Sequence, residues 1–295
     1  MVKRRIETRA SQTAGYTCFA RACATRETDP HLRGPDILAE VILPPAARFM
    51  LNFVPLRKFL MRRMFPPGIY EYVIARTKVM DTAFLEALDT GFSQIVLLGA
   101  GFDTRALRFA SRNHGTKIFE LDVATTQEPK IEILHKQKLT FPSELVFVSI
   151  DFDREDIFEM LSKVGFKDRQ RTLFLWEGVS MYLTAEAVDG TLAFIREHSA
   201  PSSRVAFDYL YASVLRCENR FYGEREIYKT VSRVGEGWTF GLEVGEIEPF
   251  LAARGFGLVA HYSPPELEQK YLMTEYGARL GPINGTHCIV VASVK

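Results

Sequence analysis

Residues 95–109 read IVLLGAGFDTRALRF: an apolar run, a G-x-G turn at Gly99 and Gly101 around Ala100, an acid at Asp103, then a helix-compatible stretch. An apolar run without polar alternation marks a strand covered on both faces. Glycines directly after it let the backbone turn sharply and approach a ligand. The same rhythm continues along the chain. Strand-like runs recur at QIVLL (94–98), TKIFEL (116–121), ELVFVSI (144–150), TLFLW (172–176) and SRVAFDY (203–209), separated by helix-compatible segments. GFGLVAHY (255–262) and HCIVVASV (287–294) follow as late strands, read as an antiparallel hairpin edge with PPELEQKYL packed outside. The expected fold class is α/β, a doubly wound, mostly parallel seven-stranded sheet of Rossmann-like type.

This organisation suits a single domain of 295 residues with 47% apolar content. Residues 1–91 read as a helical N-terminal cap and 92–210 as the ligand-binding core. Residues 211–243 read as an insertion over the strand ends, and 244–295 as a C-terminal helix with the closing strands. Lysine plus arginine (37) nearly cancels aspartate plus glutamate (36), so no overall field gathers nucleic acid, and nucleic acid is not an expected partner. The opening MVKRRIETRASQ lacks the apolar core of a signal peptide, and no run approaches 18 apolar residues. A cytoplasmic location without stable membrane insertion is expected. Cys18, Cys23, Cys217 and Cys288 show no paired spacing and the six histidines are scattered, so neither a disulfide framework nor a metal site is expected.

The opening turn narrows the ligand. A dinucleotide fingerprint needs a third glycine at position 104, where Thr104 stands, and Asp103 places an anion where a pyrophosphate would dock. S-adenosyl-L-methionine (AdoMet) has no phosphate and carries an ammonium and a sulfonium, so it suits that carboxylate. Glu120 and Asp122 close the second strand about 20 residues beyond the turn, where an acid reaches ribose hydroxyls. Asp151 and Phe152 follow the third strand, placed to read and pack an adenine, and Glu177 ends the fourth. In IYEYVIARTKVMDTAFLEAL, Arg76 lies within the stripe of Ile69, Tyr72, Val73, Met80 and Phe84 and should point inward. It meets either Glu177 or Asp103, or the α-carboxylate of a ligand. Plain helix capping remains the competing reading for Asp103 and the strand-end acids. An NAD-dependent oxidoreductase and a catalytically silent AdoMet-binding regulator remain as alternatives.

ARTKVMD, IVLLGAGFDTRALRF, IFELD, VSIDF and LFLWEGVSMYL together resemble the AdoMet-dependent methyltransferases related to leucine carboxyl methyltransferase, including bacterial and archaeal O-methyltransferase-like members. The resemblance runs over roughly residues 10–295 and implies a class I methyltransferase fold. By it Arg76 holds the methionine carboxylate, Gly99 and Gly101 form the glycine turn and Asp122 binds ribose. Asp151 and Phe152 read adenine, Glu177 lies near the amino group, and Arg21 in YTCFARACATR stands for the family's basic residue in the N-terminal helix. It further implies release of S-adenosyl-L-homocysteine and an oxygen acceptor on a small molecule or a protein C-terminus, a carboxylate ahead of a hydroxyl. Tyr182, Asp208, Tyr209 and His261 are the candidate catalytic residues on the acceptor side. The basic, amphipathic PLRKFLMRRMFPPG (55–68) is read as a lid or as a contact for anionic or lipid-like substrates, against the alternative of a solvated helix face.

Overall fold

The structure, a computed structural model, describes residues 12–152, 154–234 and 237–295. The basic opening segment lies outside the described residues, apart from Gln12. Seven strands form one sheet in the order β3-β2-β1-β4-β5-β7-β6. They are β1 (Gln94–Leu98), β2 (Lys117–Asp122), β3 (Leu145–Ser149), β4 (Thr172–Trp176), β5 (Arg204–Leu210), β6 (Phe256–Tyr262) and β7 (His287–Val294). The first five pair in parallel. β7 enters between β5 and β6 and runs antiparallel to both. The two late strands thus form the expected antiparallel edge, with β6 outermost and β7 against β5. Because Leu210 pairs with His287, the first residue of β7 sits at the carboxyl end of β5, where the functional turns gather.

The helices follow the chain: α1 (Gln12–Ala24), α2 (Ala39–Ile42), α3 (Pro45–Met50), α4 (Val54–Met64) and α5 (Ile69–Asp89) precede the sheet. Next come α6 (Arg105–Arg108), α7 (Ala124–Lys136), α8 (Ile157–Lys163) and α9 (Ala185–Glu197). The insertion carries α10 (Ala212–Leu215) and α11 (Glu224–Val234), and the C-terminal part α12 (Ile247–Ala252) and α13 (Pro264–Tyr271). Strand parity divides the core between two layers. Val96, Phe174, Trp176, Phe207 and Tyr209 pack on one face with Leu192 and Ile195 of α9. Leu97, Leu175, Ala206 and Ile289 pack on the other with Met80 and Phe84 of α5. A third cluster, including Phe19, Cys23, Leu51 and Met61, holds the N-terminal helices together.

The basic stretch splits by helical period. Within α4, Arg57 and Met61 are buried, four residues apart on one face, and Arg57 donates to the Leu51 and Arg26 carbonyls. Lys58, Arg62 and Arg63 are exposed. Phe59 is 62% exposed, and Phe49 of α3 is 64% exposed.

Candidate active site

One cavity of about 1160 Å³ opens over the carboxyl ends of the strands. That volume accommodates a nucleoside-sized ligand together with a second molecule. On the β1–β2 side the backbone forms the binding turn. Gly99 has φ +69°, and a Cβ there would stand 2.6 Å from Val179 Cγ2; Gly101 has φ +50°. The Ala100 N–H is held by the Leu121 carbonyl at 2.9 Å. The Gly101 N–H donates to Asp122, whose other oxygen accepts from the Val123 N–H at 2.7 Å. Asp122 thus braces the turn while lining the cavity.

Glu120 shares the parity of Asp122 but not its depth. A strand rises ~3.3 Å per residue, so two residues back lie ~6.6 Å farther from the cavity mouth. There Glu120 is buried against Lys130 of α7 and lies outside the cavity lining, correcting the expectation of a ribose ligand. Burial pushes its carboxyl up to about 7, with the ammonium of Lys130 opposing. Asp151 and Phe152 do line the cavity beyond β3, and Phe152 remains 38% exposed.

A chain of buried ion pairs continues from this turn. Arg21 of α1 meets Asp36 at 3.4 Å, and Arg108 contacts Asp36 at 3.3 Å and Asp81 at 2.6 Å. Arg105 joins Asp81 at 2.7 Å, Glu177 at 2.8 Å and Asp103. Arg76 closes the chain on Glu177 at 3.0 Å and Asp208 at 2.9 Å. Four guanidinium groups face five carboxylates, leaving one negative charge in excess. A cationic guest would balance that excess.

The chain bears on two expectations. Asp103 lines the cavity, and its side chain accepts the Arg105 N–H at 2.7 Å and meets that residue's guanidinium, so it braces the start of the helix at the cavity wall. Arg76 pairs with Glu177, as one reading foresaw, but its second partner is Asp208 and not Asp103. Arg21 lines the cavity and donates to the Phe102 carbonyl at 2.8 Å, tying α1 to the turn.

The chain of ion pairs reaches the cavity wall at Arg76, Asp103 and Glu177. Arg76 Nε lies 3.0 Å from Glu177 Oε1 and Arg105 Nη2 2.8 Å from Glu177 Oε2, ion pairs without aligned hydrogen bonds. A guanidinium and a carboxylate on the wall complement an α-amino acid, whose carboxylate accepts and whose ammonium donates. The lining residues present fit the methionine end of AdoMet: Arg76 for the carboxylate, Glu177 for the ammonium. Asp122 would hold ribose.

The candidate catalytic residues divide. Tyr182 lines the cavity. Asp208 is fully buried and saturated by the Tyr72 hydroxyl (2.8 Å), Arg76 (2.9 Å) and the Gly178 N–H (2.6 Å), and it is outside the lining. It anchors Arg76. Tyr209 and His261 are bonded to each other, Tyr209 Oη to His261 Nε2 at 2.9 Å, and neither lines the cavity. Tyr209 follows Asp208 directly, so the strand turns it to the opposite layer. Two residues missed in the sequence complete the acceptor side. His287 and Trp238 both line the cavity, their rings edge to face at 5.6 Å. The histidine at the head of HCIVVASV was the available signal, visible only once β7 is known to run antiparallel beside β5.

The chain matches the sequence profile described as "Leucine carboxyl methyltransferase" over residues 14–196.

The chain belongs to the leucine carboxyl methyltransferase family.

Its similarity to individual relatives is looser. YktD of Bacillus subtilis (strain 168), provisionally named an S-adenosyl-L-methionine-dependent methyltransferase, is 29% identical over 67% of this chain and 65% of its own. A provisionally named methyltransferase of the same cofactor type from Mycobacterium marinum (strain ATCC BAA-535 / M) is 30% identical over 86% of this chain and 82% of its own. The chain spans 46% of three further curated relatives. Among solved structures, magnesium protoporphyrin IX methyltransferase (ChlM) from Synechocystis PCC 6803 with bound SAH is similar with a TM-score of 0.47 and 10% identity, over 85% of this chain and 98% of that one. The family assignment covers the helical cap from α1 onward, the glycine turn and the end of β4. Every link of the ion-pair chain except Asp208 falls inside the matched segment.

Proposed function

We propose that this member of the leucine carboxyl methyltransferase family transfers the methyl group of AdoMet to an oxygen of a small, largely apolar acceptor. The observation that carries this reading is the pair Arg76 and Glu177 on the cavity wall at the end of β4, in a network one positive charge short. AdoMet supplies the electrophilic methyl. The protein's part is placement: Arg76 and Glu177 hold the amino-acid end, Asp122 the ribose, Phe152 packs the base, and the walls exclude water. Beyond β4 the cavity is lined by Met64, Phe65, Met181, Phe194, Ile227 and Trp238, which favours an apolar acceptor. Met64 and Phe65 come from the end of α4, consistent with a lid and with lipid-like substrates.

The test is incubation with methyl-labelled AdoMet and an extract of small molecules, followed by mass spectrometry and mild alkali. Label on oxygen supports the reading, and alkali separates methyl esters from ethers. Label on nitrogen overturns the oxygen assignment, and failure to bind S-adenosyl-L-homocysteine in calorimetry overturns the site.

A further inference from the structure

The tautomer of His287 is dictated by its neighbours. Asn284 Nδ2 donates to the Pro67 carbonyl at 2.9 Å and Asn284 Oδ1 accepts from the Thr286 N–H at 3.2 Å, which orients the amide. The Thr286 hydroxyl lies 2.6 Å from that same oxygen and must give it its single proton. Thr286 Oγ1 can then only accept from His287 Nδ1, 2.7 Å away. Nδ1 carries the hydrogen, and Nε2 is left with a bare lone pair. The ring is held in place by Tyr72 at 4.6 Å and by Trp238 at 5.6 Å, and all three line the cavity. Trp238 Nε1–H is buried without a partner among the described residues.

Neighbouring rings on the acceptor side therefore carry one unmatched acceptor and one unmatched donor. We infer that His287 and Trp238 receive a hydroxyl on the methyl acceptor, which donates its O–H to His287 Nε2 and accepts from Trp238 Nε1–H. This inference rests on the methyltransferase reading and narrows its acceptor. An ionised carboxylate has no hydrogen to give and would set its own lone pairs against that of Nε2, so the pair disfavours the carboxylate that the family resemblance implies. In the reaction an oxygen lone pair forms the C–O bond, the C–S bond breaks and its electrons stay on sulfur. The O–H proton passes to Nε2. A sulfonium becomes a neutral sulfide as a neutral imidazole becomes imidazolium, so the charge of the site is conserved. The proton is then released to water. Burial beside Arg76 keeps the imidazole neutral before the reaction, so its lone pair is present at neutral pH. The proton moves only as the new bond makes the oxygen strongly acidic.

The experiment uses the full chain, labelled with 15N-histidine and saturated with S-adenosyl-L-homocysteine, and two matched probe pairs, 2-naphthol with 2-naphthoate and 1-decanol with decanoate. The expected result is an Nδ1–H ring for His287 and a shift of Nε2 with a hydroxyl probe only. With labelled AdoMet, methyl should appear on that probe as an alkali-stable ether. His287→Asn keeps an amide donor for Thr286 but has no atom in place of Nε2. It should lower transfer by about 100-fold while S-adenosyl-L-homocysteine affinity is retained. His287→Gln, which carries an amide group to that position, should recover part of the loss. An Nε2–H ring, carboxylate probes bound or methylated as well as the hydroxyls, or no shift with any probe overturns the inference. The spectra of the unmutated protein keep the test decisive even if a variant fails to fold. Failure of the wild type to bind S-adenosyl-L-homocysteine would instead sink the underlying methyltransferase reading.

Discussion

Arg76 shows how a side chain placed correctly from sequence can still carry an unforeseen duty. Its helical stripe pointed it inward, and it is buried. However, it pairs with Glu177 and Asp208 together, so Arg76→Ala would leave Asp208 in the interior without its cation, while Glu177 keeps Arg105. Removing one partner of a buried ion pair costs ~3–5 kcal/mol, so this variant should lose much of its stability in urea denaturation as well as its affinity for AdoMet. Asp122→Asn is the milder probe of binding. It keeps one side-chain acceptor for the turn but loses the charge that strengthens such hydrogen bonds, worth ~1.5–3 kcal/mol. AdoMet affinity measured by calorimetry should fall about tenfold or more, and the melting temperature should drop as well, because the new amide NH2 faces a backbone N–H that the carboxylate accepted. Gly99→Ala should cost both, because φ is +69° and the new methyl would press on Val179. Protein that keeps wild-type stability and affinity after that change would refute the close approach. The residues misplaced from sequence failed for geometric reasons. Depth along β2 separated Glu120 from Asp122, and strand parity sent Tyr209 to pair with His261 in the opposite layer.

Helix α1 illustrates what a single element contributes. It reaches the ligand turn through Arg21, which bonds the Phe102 carbonyl and pairs with Asp36. Arg21→Ala should therefore loosen the cap over the cavity and accelerate cofactor release in stopped-flow displacement. It should leave the sheet intact by circular dichroism. An unchanged release rate would confine Arg21 to holding the cap together. Periodicity revealed the strands within about one residue because their apolar runs are continuous, and it revealed α5 through its stripe. The pairing of β7 with β6 was legible, but its place against β5 was not, since an apolar run states that a strand is covered and not which strands cover it. His287 was lost with that register. The basic stretch 55–68 was legible as amphipathic, but its buried Arg57 was not, because an arginine satisfied by two carbonyls reads like any surface arginine.

For the molecule as a whole, acid is the informative variable. Burial and the charge of Arg76 hold His287 at about 3, below its ordinary 6.5. Between those values the unfolded chain binds a proton that the folded protein refuses. This contribution to stability is therefore fully present above 6.5 and is lost as the pH falls toward 3, with a slope of up to ~1.4 kcal/mol per pH unit. His287→Asn removes the group from both states. The stability advantage of wild type over the variant in urea titrations should shrink from pH 7 to pH 5; a constant difference would mean that the folded protein titrates near the ordinary value.

The place of β7 also matters while the chain is being made. A ribosome delivers β5 long before the strand that will lie against its outer edge, because residues 211–286 must be synthesised in between. At ordinary elongation rates that interval lasts several seconds. Throughout it the unpaired edge that carries Phe207 and Tyr209 is open to other nascent chains. Yield in the cell should consequently respond to chaperone supply and to slower growth temperature, even where the finished protein resists denaturant.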